Sequence, residues 1–135
     1  MQAARMLMRV VPFLAVLNAC EQPDETVTAY AKHDGPYQLA TMNGEIFSAT
    51  ATIDLRVTGT VSGHGPCNAY RTSQTAPYPW IELGPITATR RGCPDLDAEA
   101  AFLEILGKMT IVEASNEILI LSNDARDRMV FHALP

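Results

Sequence analysis

The sequence predicts an α+β domain: a strongly twisted antiparallel sheet, curled toward a barrel, with one α-helix packed on it. Three observations lead there. Short runs with apolar residues at every second position recur along the chain, bounded by turn residues. A single stretch, about residues 95–108, repeats its apolar residues at helical spacing. After that stretch come three extended segments separated by short turns, which is the pattern of an antiparallel meander.

Taken in order, Tyr37-Gln38-Leu39-Ala40 alternates weakly and is followed by Asn43-Gly44, a type I′ turn signal leading into Glu45-Ile46-Phe47. In Ala51–Val57 the residues Ile53, Leu55 and Val57 fall on one face and Thr52, Asp54 and Arg56 on the other, as in a half-buried strand. Thr60-Val61-Ser62 follows a turn at Thr58-Gly59, and Trp80–Leu83 and Pro85–Thr89 make two more extended pieces. Asp95 or Asp97 can cap the helix, and Asp97 and Glu99 suit its positive end. Glu99, Phe102, Leu103, Leu106 and Met109 share one helical face, with Gly107 near the end. Thr110–Glu113, Ile118–Leu121 and Met129–His132 complete the meander through turns at Asn116-Glu117 and Asn123–Asp127.

The first residues read as an address rather than as part of the domain. Arg5 and Arg9 form a positive head, and Val10–Leu17 is an apolar run far shorter than the roughly 20 residues a membrane-spanning helix needs. Leu17-Asn18-Ala19-Cys20 then matches a bacterial lipobox, although Asn18 is an uncommon residue at its position. This predicts a lipoprotein signal peptide over residues 1–19 and lipidation of Cys20. The bland alternative is an ordinary signal peptide, with Cys20 a free thiol. Residues 20–35 lack an apolar period and read as a tether, leaving 36–135 as the domain. The expected location is the bacterial cell envelope, facing the periplasm and with the outer membrane preferred; the partner on that reading is the membrane itself, through the N-terminal lipid.

Hydrophobic residues make up 47% of the chain and charged residues 19%, a globular composition. Without Arg5 and Arg9, 8 of the 10 basic residues remain against 15 acidic ones, so the formal charge falls from −5 to −7. A surface of that sign repels the phosphate backbone, which argues against nucleic-acid binding.

With Cys20 assigned to lipid, Cys67 and Cys93 remain, and an even pair in an exported chain reads as a disulfide. Two unbonded thiols are the second reading. His64 with Cys67 and Cys93 as metal ligands is the third, against which stands the lack of tight ligand spacing. Ser62 beside His64 invites a nucleophile reading, but glycines at 59, 63 and 65 do not make the Gly-x-Ser-x-Gly elbow and suit a tight turn better. Asn68 is of a type that bonds local backbone. Arg90 and Arg91 either pair with Asp95 or Asp97 or hold an anionic group. Tyr78-Pro79-Trp80 either sends Trp80 into the sheet core or exposes an aromatic pair for a partner. Asn68, Tyr78, Trp80, Arg90 and Arg91 are thus the candidate binding surface, with no cofactor or metal and no catalytic group assigned.

Several of these segments together resemble the META domain found in HslJ-like bacterial lipoproteins. The resemblance is carried by Gly59-Thr60-Val61-Ser62-Gly63, Gly65-Pro66-Cys67-Asn68 with Tyr70, and Ile86 with Thr89-Arg90-Arg91-Gly92-Cys93. Glu99, Phe102, Leu103 and Leu106, then Leu119-Ile120-Leu121 and Met129-Val130-Phe131, extend it over roughly residues 37–134. Tyr37 stands where the family usually has tryptophan, Pro66 where glycine commonly precedes the first cysteine, and Arg71-Thr72-Ser73 lacks a frequent glycine. The resemblance implies a small sheet-and-helix envelope domain loosely tied to stress tolerance, and it brings no established catalytic activity. The expected function is a non-enzymatic, lipid-anchored module that binds an envelope protein. The alternative is capture of a small ligand on the concave sheet face, and a hydrolase is the remotest reading.

Overall fold

The computed structural model describes residues 10–12, 15 and 19–135. Most of the expected signal peptide, including Arg5, Arg9 and Leu17-Asn18 of the lipobox, lies outside the described residues. Among the described residues no helix is long and apolar enough to cross a membrane.

Helix α1 (Val27–Tyr30) precedes strands β1 (Tyr37–Met42), β2 (Glu45–Ile46), β3 (Thr52–Ile53), β4 (Thr60–His64), β5 (Ala69–Ser73) and β6 (Thr87–Ala88). Helix α2 (Leu96–Leu106) then leads to β7 (Ile111–Ala114), β8 (Ile118–Ser122) and β9 (Arg128–Ala133). All strand pairs are antiparallel. One sheet runs β2-β1-β9-β8-β7, with β3 also paired to β1, and the other runs β4-β5-β6.

Most of the expected elements are present, and the differences have physical causes. Trp80–Leu83, expected as an extended piece, makes only isolated bridges at Trp80 and Leu83 between Pro79 and Pro85, and β5 is a strand that no sequence signal announced. Asn43 and Gly44 take φ of 52° and 82°, the left-handed pair that a type I′ hairpin requires, and join β1 to β2. Residues 51–57 do not form one long strand. Ile53 and Leu55 are buried as expected, but the Asp54 carboxylate accepts the Arg56 backbone N–H at 3.0 Å and turns the chain. Val57, expected inside, is therefore 60% exposed. The stretch expected to be a free tether is packed at its C-terminal end: Val27 and Ala31 are buried, and the Tyr78 N–H donates to the Glu25 carbonyl at 2.7 Å. The domain thus begins before residue 36.

The sheets do not close into a barrel. Among the described residues isolated bridges join them, Asp54 to Ser62 directly, and Gln74 to Leu83 and Trp80 to Ile111 through the segment 80–83. The segment that would have to complete the ring carries Pro77, Pro79 and Pro85, which have no N–H for a ladder.

Helix α2 crosses the inner face. Its Phe102 and Leu106, and Met109 just beyond it, are buried with Tyr37, Ile53, Val61, Leu119, Leu121, Met129 and Phe131. The Phe102 ring meets Tyr70 edge-on at 5.6 Å and Phe47 at 6.2 Å between centroids. Full burial of a side chain such as Phe102 or Leu106 contributes about 1.5–3 kcal/mol, so this one helix face is a large part of the core. Asp95 precedes the helix without a side-chain cap; its backbone carbonyl accepts the Glu99 N–H instead. Burial pushes the Tyr70 phenol far above its ordinary value, which keeps it a donor, and it donates to the Thr52 carbonyl at 2.7 Å.

Candidate functional site

Among the described residues the densest polar arrangement lies where the β4–β5 turn meets the start of α2. Gly65 donates its N–H to the Asn68 carbonyl at 2.7 Å, closing a tight turn whose next backbone donors, Cys67 and Asn68, point at the helix. Glu99, one turn into α2 and only 6% exposed, receives them. Its Oε1 accepts the Cys67 N–H at 3.1 Å and the Asn68 N–H at 2.7 Å, and its Oε2 accepts from Asn68 Nδ2 at 2.7 Å. A carboxylate buried this deeply is tolerated because its oxygens are met by donors.

Asn68 carries the connection onward. Its Oδ1 accepts from the Thr89 hydroxyl at 3.0 Å and from the Arg91 N–H, while Nδ2 also donates to the Arg91 carbonyl at 3.1 Å. The Cys67–Cys93 disulfide closes the same junction covalently, with Cα atoms 5.7 Å apart. A turn, a strand end, a loop and a helix are thereby clasped at one point. The disulfide takes both sulfurs that a metal reading of His64, Cys67 and Cys93 required.

The clasp leaves no room for a side chain at Gly65. A Cβ there would stand 2.5 Å from Glu99 Oε1, and that oxygen is already fixed by two N–H groups. Gly65→Ala is expected to cost about 1–3 kcal/mol by overpacking, read as a lower denaturation midpoint. An unchanged midpoint would show that Glu99 can move aside without loss.

The candidate surface residues separate into three situations. Asn68 is 5% exposed and works inside the clasp, so it does not belong to an open binding surface. Arg90 and Arg91 are exposed, and neither forms an ion pair with Asp95 or Asp97 among the described residues. Because Asn68 holds both backbone groups of Arg91, that guanidinium is carried on a fixed backbone. Arg90 and Arg91 border a concavity of ≈ 340 Å³ together with Thr89, Gly92 and Leu96. The neighbouring outer face of β5 and β6 forms a second hollow of ≈ 310 Å³, lined by Arg71 and Thr87. A groove of ≈ 420 Å³ continues past Arg71 to Ser62, His64 and Asp54. Arg71, which no local sequence signal places on a strand, lies on β5 and lines both of these hollows.

Tyr78 and Trp80 lie elsewhere, beside α1 and β7. Tyr78 is half-buried, stacked on Tyr30 with centroids 4.1 Å apart, and its hydroxyl accepts the Ala114 N–H at 3.3 Å. Of the two positions open to Trp80, core or surface, the structure takes the second: it is 56% exposed, and its backbone bridges to Ile111 while its side chain stays outside. The core needed no plug at that end, since Ile81 fills the adjacent inward position.

Ser62 and His64 share the outer face of β4, and Asp54 stands opposite Ser62. They do not assemble a relay. The Asp54 carboxylate is taken by the Arg56 guanidinium at 2.7 Å, which also holds its pKa below the ordinary aspartate value. Among the described residues the His64 ring makes no hydrogen bond to Ser62 or to a carboxylate. The concave sheet face is filled by Phe102 and Leu106, so a ligand site there would need the helix to move.

A family model described as the META domain matches residues 29–134. The fold is similar to an NMR structure of a protein from Burkholderia xenovorans, with a TM-score of 0.60 at 21% identity, covering 95% of this chain and 99% of that one. A second NMR structure is similar with a TM-score of 0.58 at 17% identity, covering 80% and 95% of the two chains. No curated protein matches the sequence. The family match begins on α1, in keeping with the burial of Val27, and spans most of the chain; the chain belongs to the META domain family.

Proposed function

We propose that this protein is a non-enzymatic, lipid-anchored module of the bacterial cell envelope that binds an acidic partner through the outer face of β5 and β6. One observation carries the binding part. Arg71, Arg90 and Arg91 form no ion pair among the described residues, and they gather beside one clasp in a chain whose net charge is −5. Exposed cations held on a fixed backbone and surrounded by an acidic remainder steer and orient a negatively charged surface. The anchor rests on the sequence, on the positive head Arg5 and Arg9, the short apolar run and Leu17-Asn18-Ala19-Cys20. A role in stress tolerance or envelope maintenance fits a module of this kind. Small-ligand capture, the second reading, moves from the concave face to the open hollows of ≈ 310 to 420 Å³ around Arg71, because α2 fills the inside.

Site-specific photo-crosslinking in living cells tests the reading. A crosslinker at the exposed position Thr87 should trap one discrete envelope protein, and one at Asp124 on a distant turn should not. The double change Arg90→Glu, Arg91→Glu should cut the Thr87 adduct about tenfold, the effect of roughly 1.4 kcal/mol of lost complementarity. Equal adducts at both positions, or one indifferent to the double change, would remove the arginine face from the account.

A further inference from the structure

Three of the exposed large apolar side chains surround the place where the N-terminal segment enters the fold. Tyr30 is 45% exposed on α1, against Tyr78. Trp80 follows two residues after Tyr78, whose N–H is bonded to the Glu25 carbonyl. Val57 adjoins Thr58, whose hydroxyl donates to Asp24 Oδ2 at 2.8 Å. Each of the three thus is, or lies within two residues of, a residue that holds the segment 24–30, and none of them is part of the buried core.

The same point is tied closely to Cys20. Asp24 accepts from the Thr26 N–H at 2.8 Å, from the Thr26 hydroxyl at 2.7 Å and from Thr58, so the chain is fixed from Asp24 onward. Only Glu21, Gln22 and Pro23 separate it from Cys20. Four Cα steps reach at most about 14 Å. A lipid on Cys20 would therefore keep Asp24, where this face meets the chain, within about two headgroup depths of the anchored residue.

We propose that the face formed by Tyr30, Val57 and Trp80 lies against the lipid surface that holds Cys20, so that the domain rests on the membrane instead of hanging from it. The proposal depends on the lipid-anchor reading above. Tyrosine and tryptophan are the side chains suited to the boundary between headgroups and hydrocarbon, with an apolar body and a polar tip. The surrounding Glu21, Asp24, Glu25 and Asp34 outnumber Lys32, and Arg56 beside Val57 is paired with Asp54, which selects a zwitterionic surface over an anionic one. In this orientation the short tether, rather than a protein partner, explains why the aromatic face is left open.

Trp80 is the sole tryptophan in the chain, so its fluorescence reports on this face directly. The acylated full chain, extracted from membranes, is reconstituted into phosphatidylethanolamine–phosphatidylcholine vesicles and compared with the unacylated Cys20→Ser chain. The expected result is a blue-shifted emission, an at least about twofold loss of intensity in vesicles with brominated acyl chains, and iodide quenching at least about halved. An acylated, vesicle-bound chain whose Trp80 is quenched by iodide as fully as in Cys20→Ser, and not at all by bromine, overturns the proposal while leaving the anchor intact. A chain that carries no acyl mass and does not float with vesicles overturns the anchor reading and this proposal with it. Replacing the vesicles with phosphatidylglycerol ones should weaken the bromine effect; a stronger effect there would contradict the charge argument.

Discussion

Replacing Glu99 with alanine is expected to destabilise the domain by about 3–5 kcal/mol, a large share of the roughly 5–15 kcal/mol that folds of this size possess. The reason is the set of donors left behind. Cys67 N–H and Asn68 N–H lose their acceptor, and Asn68 Nδ2 keeps only the Arg91 carbonyl. An unsatisfied buried donor costs about 1–3 kcal/mol, and the near-surface position of the clasp lets water recover part of the total. Glu99→Gln keeps the volume but offers an amide N–H₂ to a position that needs an acceptor, so an intermediate loss of about 1.5–3 kcal/mol is expected. Urea titration reads both as a lower midpoint at unchanged slope. A loss under about 1 kcal/mol for Glu99→Ala would show that the turn is held by something other than this carboxylate.

Removing the disulfide, by Cys67→Ser with Cys93→Ser or by reduction, is expected to cost about 3–4 kcal/mol, from the chain entropy released over the separation of 26 residues. The covalent bond and the Glu99 hydrogen bonds hold the same turn against the same helix and loop. The two losses should therefore fail to add, with a coupling of at least about 0.5 kcal/mol in a double-mutant cycle, because the second loss acts on a turn already loose. Simple additivity would mean that the staple and the carboxylate stabilise separate parts of the domain.

Much of the fold is legible in the sequence because it is written in local signals. Asn43-Gly44 demands a left-handed turn, and the short apolar runs Thr110–Glu113, Ile118–Leu121 and Met129–His132, set off by turn residues, place the three strands of the meander to within a residue or two. The apolar face of residues 99–109 finds the helix and the side that is buried. What local signals cannot carry is what competes with them from a distance. Val57 continues the alternation on paper, but the Asp54 carboxylate bonds the next turn and ends the strand. Trp80 reads as core by size, yet Ile81 already occupies the inward position. The tether reading failed at Val27 because four helical residues are too few to show a period, and their burial depends on contacts with residues far along the chain.

Glu99 is the instructive case for the site. Its place on the apolar helix face was visible, and an acid on such a face is expensive unless it is met by donors. That cost was the available signal for a clasp. Which donors answer it, Cys67 and Asn68, is a tertiary fact. The disulfide is legible from the cysteine number together with the expectation of export. The arginine face was half legible: Arg90-Arg91 stands out as a basic pair, whereas Arg71 joins it only through the β5–β6 pairing.

The most direct test of the account is the intact mass of the protein extracted from bacterial membranes, recorded before and after reduction and alkylation. An anchored, clasped module predicts a chain that starts at Cys20, carries added acyl mass, and gains alkyl groups on Cys67 and Cys93 only after reduction. A chain without acyl mass, or one whose Cys67 and Cys93 are alkylated without reductant, would contradict it.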